Sequence, residues 1–559
     1  MNIFRFLATN LLIAFRNRYA ILFGILLAAA LIVGKSFLIT NDFFFAFGSG
    51  AALQRTAITA VVYFVVITIV SSCLMQLLGG DRTRLRDAGR PPQNAALRLF
   101  FGEKAVSLWV LWAVIFACWV PCLLAYWPGV FSYDMPTVLP QGVQWPYGDF
   151  QPLIYTLFIK ALYAIAQAGG NQAGALLVSV VQMLLMSFIF AGIVWRLNRM
   201  RLHPALRLIC LLWFALYPPN AIFALVEVKD TLFAGVFALV TLSVIELARE
   251  PARFFSGKRQ SILFGILLLL LCLLRNNGAY ALLLLIILAA LFLRKAWKGT
   301  LKKLLAPLCS AVVAFFLLTQ ALFPALGVQP GLTREMLSVP VQQISYTAIR
   351  HAADFTPEQL KIIQNTILAD IQESYNPRLA DPIKDYTRDW PRDGNTKGFM
   401  TVWLQLGLRY PADYAKAFLT LNLQSWFPGS DFPDRYSQRN YIETNIYPDW
   451  NITRESKAPA LLNAYEGIAT RADWQHIPVL SLLFDTGAPL WFMLFGLLLS
   501  VFRRQKRDLI IFLLPICLWV TIMLGPVSNG RYAYPFLVCY PLWLVVFLAA
   551  RKDTQENPS

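Results

Sequence analysis

Acidic residues and histidine are scarce in this chain. Of 559 residues, 31 are Asp or Glu against 49 Lys or Arg, and three are His. His351 and His476 stand far apart with no ligand spacing, so no zinc site is expected. All eight cysteines (Cys73, Cys118, Cys122, Cys210, Cys272, Cys309, Cys517 and Cys539) fall inside apolar runs, which implies neither a disulfide framework nor redox chemistry. Glycine-rich phosphate loops, Walker sequences and a Ser-His-Asp pattern are missing, so a nucleotide is not expected as the direct substrate. Within the one large hydrophilic region, 327–485, alternating strand patterns are too few for a sheet module. The hydropathy pattern shows no internal duplication, which weighs against a transporter built from repeats.

What the chain has in abundance is apolar residue: 57% hydrophobic, 14% charged, with a mean hydropathy of +0.55. That makes it an all-α polytopic membrane protein. Its net charge of +18 does not point to nucleic acid. The basic residues sit in short clusters between apolar runs, where they set topology and meet anionic lipid heads. About twelve helices are expected to cross the membrane: 20–39, 57–78, 105–126, 173–195, 206–219, 231–248, 262–275, 279–293, 304–325, 486–502, 509–524 and 535–550. Several are shorter than the roughly 20 residues of a perpendicular span. The first follows Arg5, Arg16 and Arg18, is too long for a signal-peptide core and lacks a clear cleavage site, so it reads as retained.

With both termini cytoplasmic, every basic cluster falls inside, including Arg82–Arg98, Arg196–Arg207, Arg249–Arg259, Arg294–Lys303 and Arg503–Arg507. This holds only if 152–168 does not span. That stretch is expected to lie along the outer surface, with Lys160 reaching toward water. The expected organisation is therefore two added helices and a basic cytoplasmic linker in 1–104, then a membrane core in 105–326 with an outer loop at 127–172. A mainly helical outer domain fills 327–485, and 486–559 holds three last helices and a cytoplasmic tail. Within the outer domain Thr356-Pro357-Glu358-Gln359 reads as a capping box, and 399–427 as a long amphipathic pattern.

The stretch 127–155, WPGVFSYDMPTVLPQGVQWPYGDFQPLIY, carries the chemistry. Pro128-Gly129 turns the chain out of its helix. Trp127, Phe131, Tyr133, Trp145, Tyr147 and Phe150 suit a membrane interface, and among them stand Asp134 and Asp149. The plainer reading is a solvated loop with two surface acids. Three short outer turns are polar beyond their length. One carries Glu227, Lys229 and Asp230, one carries Arg275 before Gly278, and one carries Arg531 and Tyr532. Anchoring or capping would explain each, and Lys229 could simply pair with Asp230 or Glu227. Yet outward arginines are rare without something anionic to meet, and phosphate is the natural partner of a guanidinium.

Taken in order, these motifs resemble the GT-C superfamily of membrane glycosyltransferases, which use polyprenyl-phosphate sugars on the outer face. The resemblance rests on Pro128-Gly129 followed by Asp134 and Gln141, Lys229-Asp230 opening a helix, and Arg275-Asn276-Asn277-Gly278 closing one. It also rests on Val339-Pro340-Val341-Gln342-Gln343-Ile344 and on Arg531-Tyr532 before the last helix. It runs from about residue 105 onward and is similar in detail to an uncharacterised bacterial branch. The paired acids of some branches are missing from the loop. The resemblance implies Asp134 as catalytic base, a bacterial plasma membrane location and an active site on the outer face.

The expected chemistry is inverting transfer to a hydroxyl of a cell-envelope glycan or lipid. Asp134 would act as base, made more basic by partial desolvation. Arg531, Lys229 and Arg275 would bind the donor phosphate, and Asp149, Asp230, Gln141, Glu227 and Tyr532 would position substrate. No cofactor is expected, with a divalent cation at Asp134 and Asp149 left open. The partners expected are the lipid donor, the acceptor and membrane lipid. A lipid-linked glycan transporter and a polysaccharide ligase or polymerase stay as alternatives.

Overall fold

In hydrocarbon a backbone has to satisfy its own hydrogen bonds, and uncharged runs of Leu, Ile, Val and Phe therefore fold as helices. The computed structural model describes residues 14–43, 50–79, 107–131, 134–138, 147–200, 202–389, 396–429, 450–477 and 479–548. Among these residues there are helices and isolated bridges but no strand. The chain is an all-α, multi-pass membrane protein.

Among the described residues seven helical stretches are long and apolar enough to cross a bilayer unaided. They are α1 (Arg18–Thr40), α2 (Gly50–Gly79), α3 (Leu108–Ala125), Gln167–Arg199, whose main part is α5 (Gly170–Arg199), α8 (Lys229–Arg249), Leu301–Ala325, beginning with α11 (Leu301–Leu317), and Gly530–Leu548. The last consists of α18 (Gly530–Val538) and α19 (Tyr540–Leu548). An eighth forms if α6 (Pro204–Leu216) and α7 (Pro218–Leu225), bent by 45° at Tyr217-Pro218, count as one. Pro218 and Pro219 lack the N–H groups that would continue α6, which is why the run expected at 206–219 breaks there. The segments expected at 262–275, 279–293, 486–502 and 509–524 are the shorter helices α9 (Lys258–Leu274), α10 (Asn277–Leu288), α16 (Ala488–Phe502) and α17 (Leu509–Ile522).

The helix expected at 152–168 is α4 (Leu153–Ile165). Its 13 residues rise about 20 Å, short of a hydrocarbon core of about 30 Å. It packs on α5 and α9. At the centre of the bundle α8 is enclosed by α5, α9, α17 and α18, whereas α1 and α2 pair with each other and present most of their surface outward.

Residues 327–485 carry a hydrophobic cluster of their own. Val341 and Ile344 on α12 (Ser338–His351) meet Ile363 on α13 (Pro357–Thr366) and Phe399 and Leu406 on α14 (Thr396–Arg409). The capping box is formed as expected: the Gln359 N–H donates to Thr356 Oγ1 while the Gln359 amide receives the Thr356 N–H. The amphipathic run expected over 399–427 is divided, because Pro411 opens a new helix, α15 (Pro411–Leu421). Lys416 on α15 pairs with Asp42 after α1 at 3.0 Å, and Arg378 donates to the Leu38 carbonyl at 2.9 Å. The hairpin α1–α2 is thereby tied to this region.

Candidate functional site

The loop after α3 is clipped to the stretch that precedes α8. The Val130 N–H donates to the Leu225 carbonyl, and the Glu227 N–H to the Val130 carbonyl, both at 3.1 Å. This parallel bridge brings Asp134, which opens a one-turn helix (Met135–Val138), beside Lys229. Lys229 Nζ donates to Asp134 Oδ2 at 2.8 Å and also to the Gln151 side-chain carbonyl. Arg531 Nη1 lies 3.2 Å from Asp134 Oδ1 and 4.0 Å from Asp230 Oδ2. Asp230 is fully buried and paired with Arg275. Tyr532 sits under both guanidinium groups, with Arg275 4.3 Å and Arg531 4.8 Å from its ring centroid. Its hydroxyl accepts from Arg531 Nη2 at 3.0 Å.

Three cations and two carboxylates from four distant parts of the chain thus form one continuous cluster. Two of the cations stand where a helix by itself disfavours them. Lys229 is the first residue of α8 and Arg531 the second of α18, each at the positive end of a helix dipole. Both helix ends add to the positive potential that an anion would feel. Asp134 and Asp230 are the anions that now offset it.

The electrostatics of Asp134 correct one expectation. Burial pushes its carboxyl up, but Arg531 and Lys229 together outweigh burial and hold it well below the usual carboxylate range. It is not made more basic by its surroundings. Nor does Lys229 pair with Asp230 or Glu227; its partner is Asp134. Asp149 lies apart from these ion pairs. Its N–H donates to the Gln329 carbonyl at 2.7 Å, and its carboxylate accepts from the Leu153 N–H at the start of α4. Burial raises it to about 6, with the Leu153 bond opposing the rise. Glu227 is also fully buried, and burial raises it to about 8 against the 3.0 Å bond from the Tyr163 hydroxyl. Its other carboxylate oxygen is buried with no hydrogen-bond partner among the described residues.

Gln141 lies outside the described residues. Gln151 and Tyr163, which partner Lys229 and Glu227, carried no signal in the sequence: an amide and a phenol in an aromatic stretch look like any others. Among the described residues no three His, Cys, Asp or Glu side chains group as metal ligands. The two cations that face Asp134 make a metal ion there electrostatically unfavourable.

An apolar groove of about 240 Å³ opens alongside. It is lined by Ile154, Tyr155 and Phe158 of α4, Leu185 and Ile189 of α5, Leu232 and Val236 of α8, and Leu270 and Leu274 of α9. Leu232 lies one helical turn from Lys229 and Leu274 precedes Arg275 in the chain, so the groove lies near the charged cluster, although none of the charged side chains lines it. The Tyr155 hydroxyl is buried and makes no hydrogen bond among the described residues.

Residues 139–559 match a family described as a family of unknown function, DUF6020. The chain belongs to DUF6020. The matched region holds Lys229, Asp230, Arg275 and Arg531, while Asp134 lies just before it. No curated protein and no solved structure matches the chain.

Proposed function

We propose that this DUF6020 member is an inverting membrane glycosyltransferase of GT-C type, taking sugar from a polyprenyl-phosphate donor on the outer face of a bacterial plasma membrane. The observation that carries the reading is the ion cluster of Lys229, Arg531 and Asp134 with an apolar groove near it. A phosphate on an isoprenoid chain needs both halves of that arrangement, and a water-soluble substrate needs only one. The reading goes with twelve spans, cytoplasmic termini and an outer domain over 327–485, the arrangement in which the basic clusters share one side.

In the reaction, the acceptor hydroxyl attacks the anomeric carbon from the face opposite phosphate. The new C–O bond forms as the bond from carbon to phosphate oxygen breaks, and polyprenyl phosphate leaves with the electron pair. Asp134 takes the hydroxyl proton. Lys229 and Arg531 receive the growing negative charge, so the leaving group needs no proton of its own. Asp230 and Arg275 neutralise each other and fix Tyr532, which holds Arg531 in place. Gln141 and Asp149 are left to meet sugar or acceptor.

Charge supports this assignment. The five side chains sum to +1, three cations less two carboxylates. A polyprenyl-phosphate sugar is a phosphodiester of charge −1. Once Asp134 has taken a proton the site stands at +2, which matches a phosphate monoester dianion. The test is transfer of labelled sugar from a panel of polyprenyl-phosphate donors to envelope material by the purified protein in proteoliposomes. Transfer to product supports the reading. Movement of intact lipid-linked sugar across the bilayer with no transfer would replace it with a transporter.

A further inference from the structure

The base and the phosphate-binding groups of the proposed reaction are not separate in space. Lys229 Nζ and Arg531 Nη1 each take one oxygen of the same carboxylate, Asp134 Oδ2 at 2.8 Å and Oδ1 at 3.2 Å. Arg275 is no substitute for either cation, since it is paired with fully buried Asp230 and is itself buried. Any phosphate that arrives along the groove therefore meets two cations already engaged by a carboxylate. Were both anions to stay in the same cation shell, their oxygens would come into contact, and like charges at that distance repel strongly in a partly dry site.

Resting on the transferase reading, we infer that Asp134 and the donor phosphate occupy Lys229 and Arg531 in turn, so that donor binding displaces the carboxylate and thereby creates the base. Asp134 is an internal stand-in for phosphate. While it holds both cations it is a weak base and cannot waste an acceptor proton. Displaced, it loses the charges that kept its proton affinity low and is free to turn away from the phosphate toward the face on which the acceptor hydroxyl attacks. Binding is then ordered, donor before acceptor. The geometry permits the exchange through the side chain alone: Asp134, Lys229 and Arg531 are partly accessible, with side-chain exposures of 20%, 17% and 13%. Asp230 at 0% has nowhere to go, which is why the exchange falls to Asp134.

The exchange predicts an effect opposite to that of losing an ordinary ligand contact. Removing the Asp134 charge frees the phosphate site, so Asp134→Asn should bind farnesyl phosphate more tightly than wild type. The gain should be about tenfold or more, if the site is open a tenth of the time or less in wild type. Calorimetric titration in detergent reads this directly, and Asp134→Ala should give the same sign. Equal or weaker binding in both variants would overturn the exchange, whatever happens to turnover. Tighter binding together with unchanged sugar transfer would leave the exchange standing and remove Asp134 as base. A measurement on the wild type makes the test independent of how the variants fold. Carbodiimide labelling of Asp134, followed by mass spectrometry, should rise when farnesyl phosphate is added, because the carboxyl is released from its cations. Unchanged or reduced labelling would contradict the inference.

Discussion

At the scale of single residues the account turns on charge. If Asp134 is the base, Asp134→Asn keeps shape and hydrogen bonding but cannot take a proton, so sugar transfer should fall by roughly 10²–10⁴-fold. Near wild-type turnover would refute the assignment. Arg531→Ala should weaken farnesyl phosphate binding by about 2–5 kcal/mol, the usual cost of losing one member of a partly desolvated pair. Arg531→Lys should restore only part, because the planar fork is gone; equal affinity in all three proteins would remove Arg531 from the phosphate site.

Glu227 gives a prediction that does not depend on the reaction. Its proton is held more tightly in the folded chain, with the carboxyl raised from 4.5 to about 8. The stability it contributes is thus fully present below about pH 4.5 and is lost as pH rises through about 8. Glu227→Gln, which mimics the protonated form, should melt higher than wild type at pH 8.5 and about equally at pH 5. Thermal unfolding in detergent at the two pH values reads this, and an identical pH slope in both proteins would contradict it.

At the scale of elements, two helix N-termini and one groove make the site. The sequence announced the helix ends, because Lys229-Asp230 and Arg531-Tyr532 are polar residues at the edges of apolar runs. It could not announce which charges pair. Lys229 and Asp134 are 95 positions apart, and the link between them is a backbone bridge, Val130 to Val226, between residues with no distinguishing chemistry. For the same reason the effect of desolvation on Asp134 was anticipated and the larger effect of two converging cations was not. The groove was equally hidden, since Leu232, Val236, Leu270 and Leu274 look like any apolar residues of a membrane helix.

The groove also carries its own test. Leu232→Trp should fill it without touching the cations. Binding of a long polyprenyl phosphate should weaken by about 2 kcal/mol, equivalent to two or three CH₂ groups kept out of apolar contact at about 0.8 kcal/mol each. Inorganic phosphate should bind as before. Equal binding of the long-chain lipid would place the tail elsewhere.

At the scale of the whole molecule, the class was written in composition and periodicity, and each of the twelve apolar runs contains helix among its described residues. Where helices break was less legible, as at Tyr217-Pro218 and Tyr410-Pro411, because a proline in an apolar run can kink a helix or end it. The sidedness of the chain is open to experiment. Asn171 and Gln172 at the start of α5 donate to the Trp450 and Thr453 carbonyls, so that end of α5 and the stretch 450–453 lie on one side. Ala168→Cys and Glu358→Cys should therefore react with an impermeant thiol reagent applied from outside, and Lys258→Cys should not. Labelling of residue 258 with 168 protected would invert the topology.

The central expectations depend on where the phosphate of an isoprenoid lipid sits, and a structure of the protein bound to polyprenyl phosphate measures that directly. The account predicts phosphate oxygens within hydrogen-bond distance of Lys229 Nζ and the Arg531 guanidinium. The isoprenoid should run between α4, α8 and α9, with the Asp134 carboxylate turned away from both cations. A phosphate bound elsewhere, or an Asp134 still paired with Lys229 and Arg531 beside a bound lipid, would contradict it.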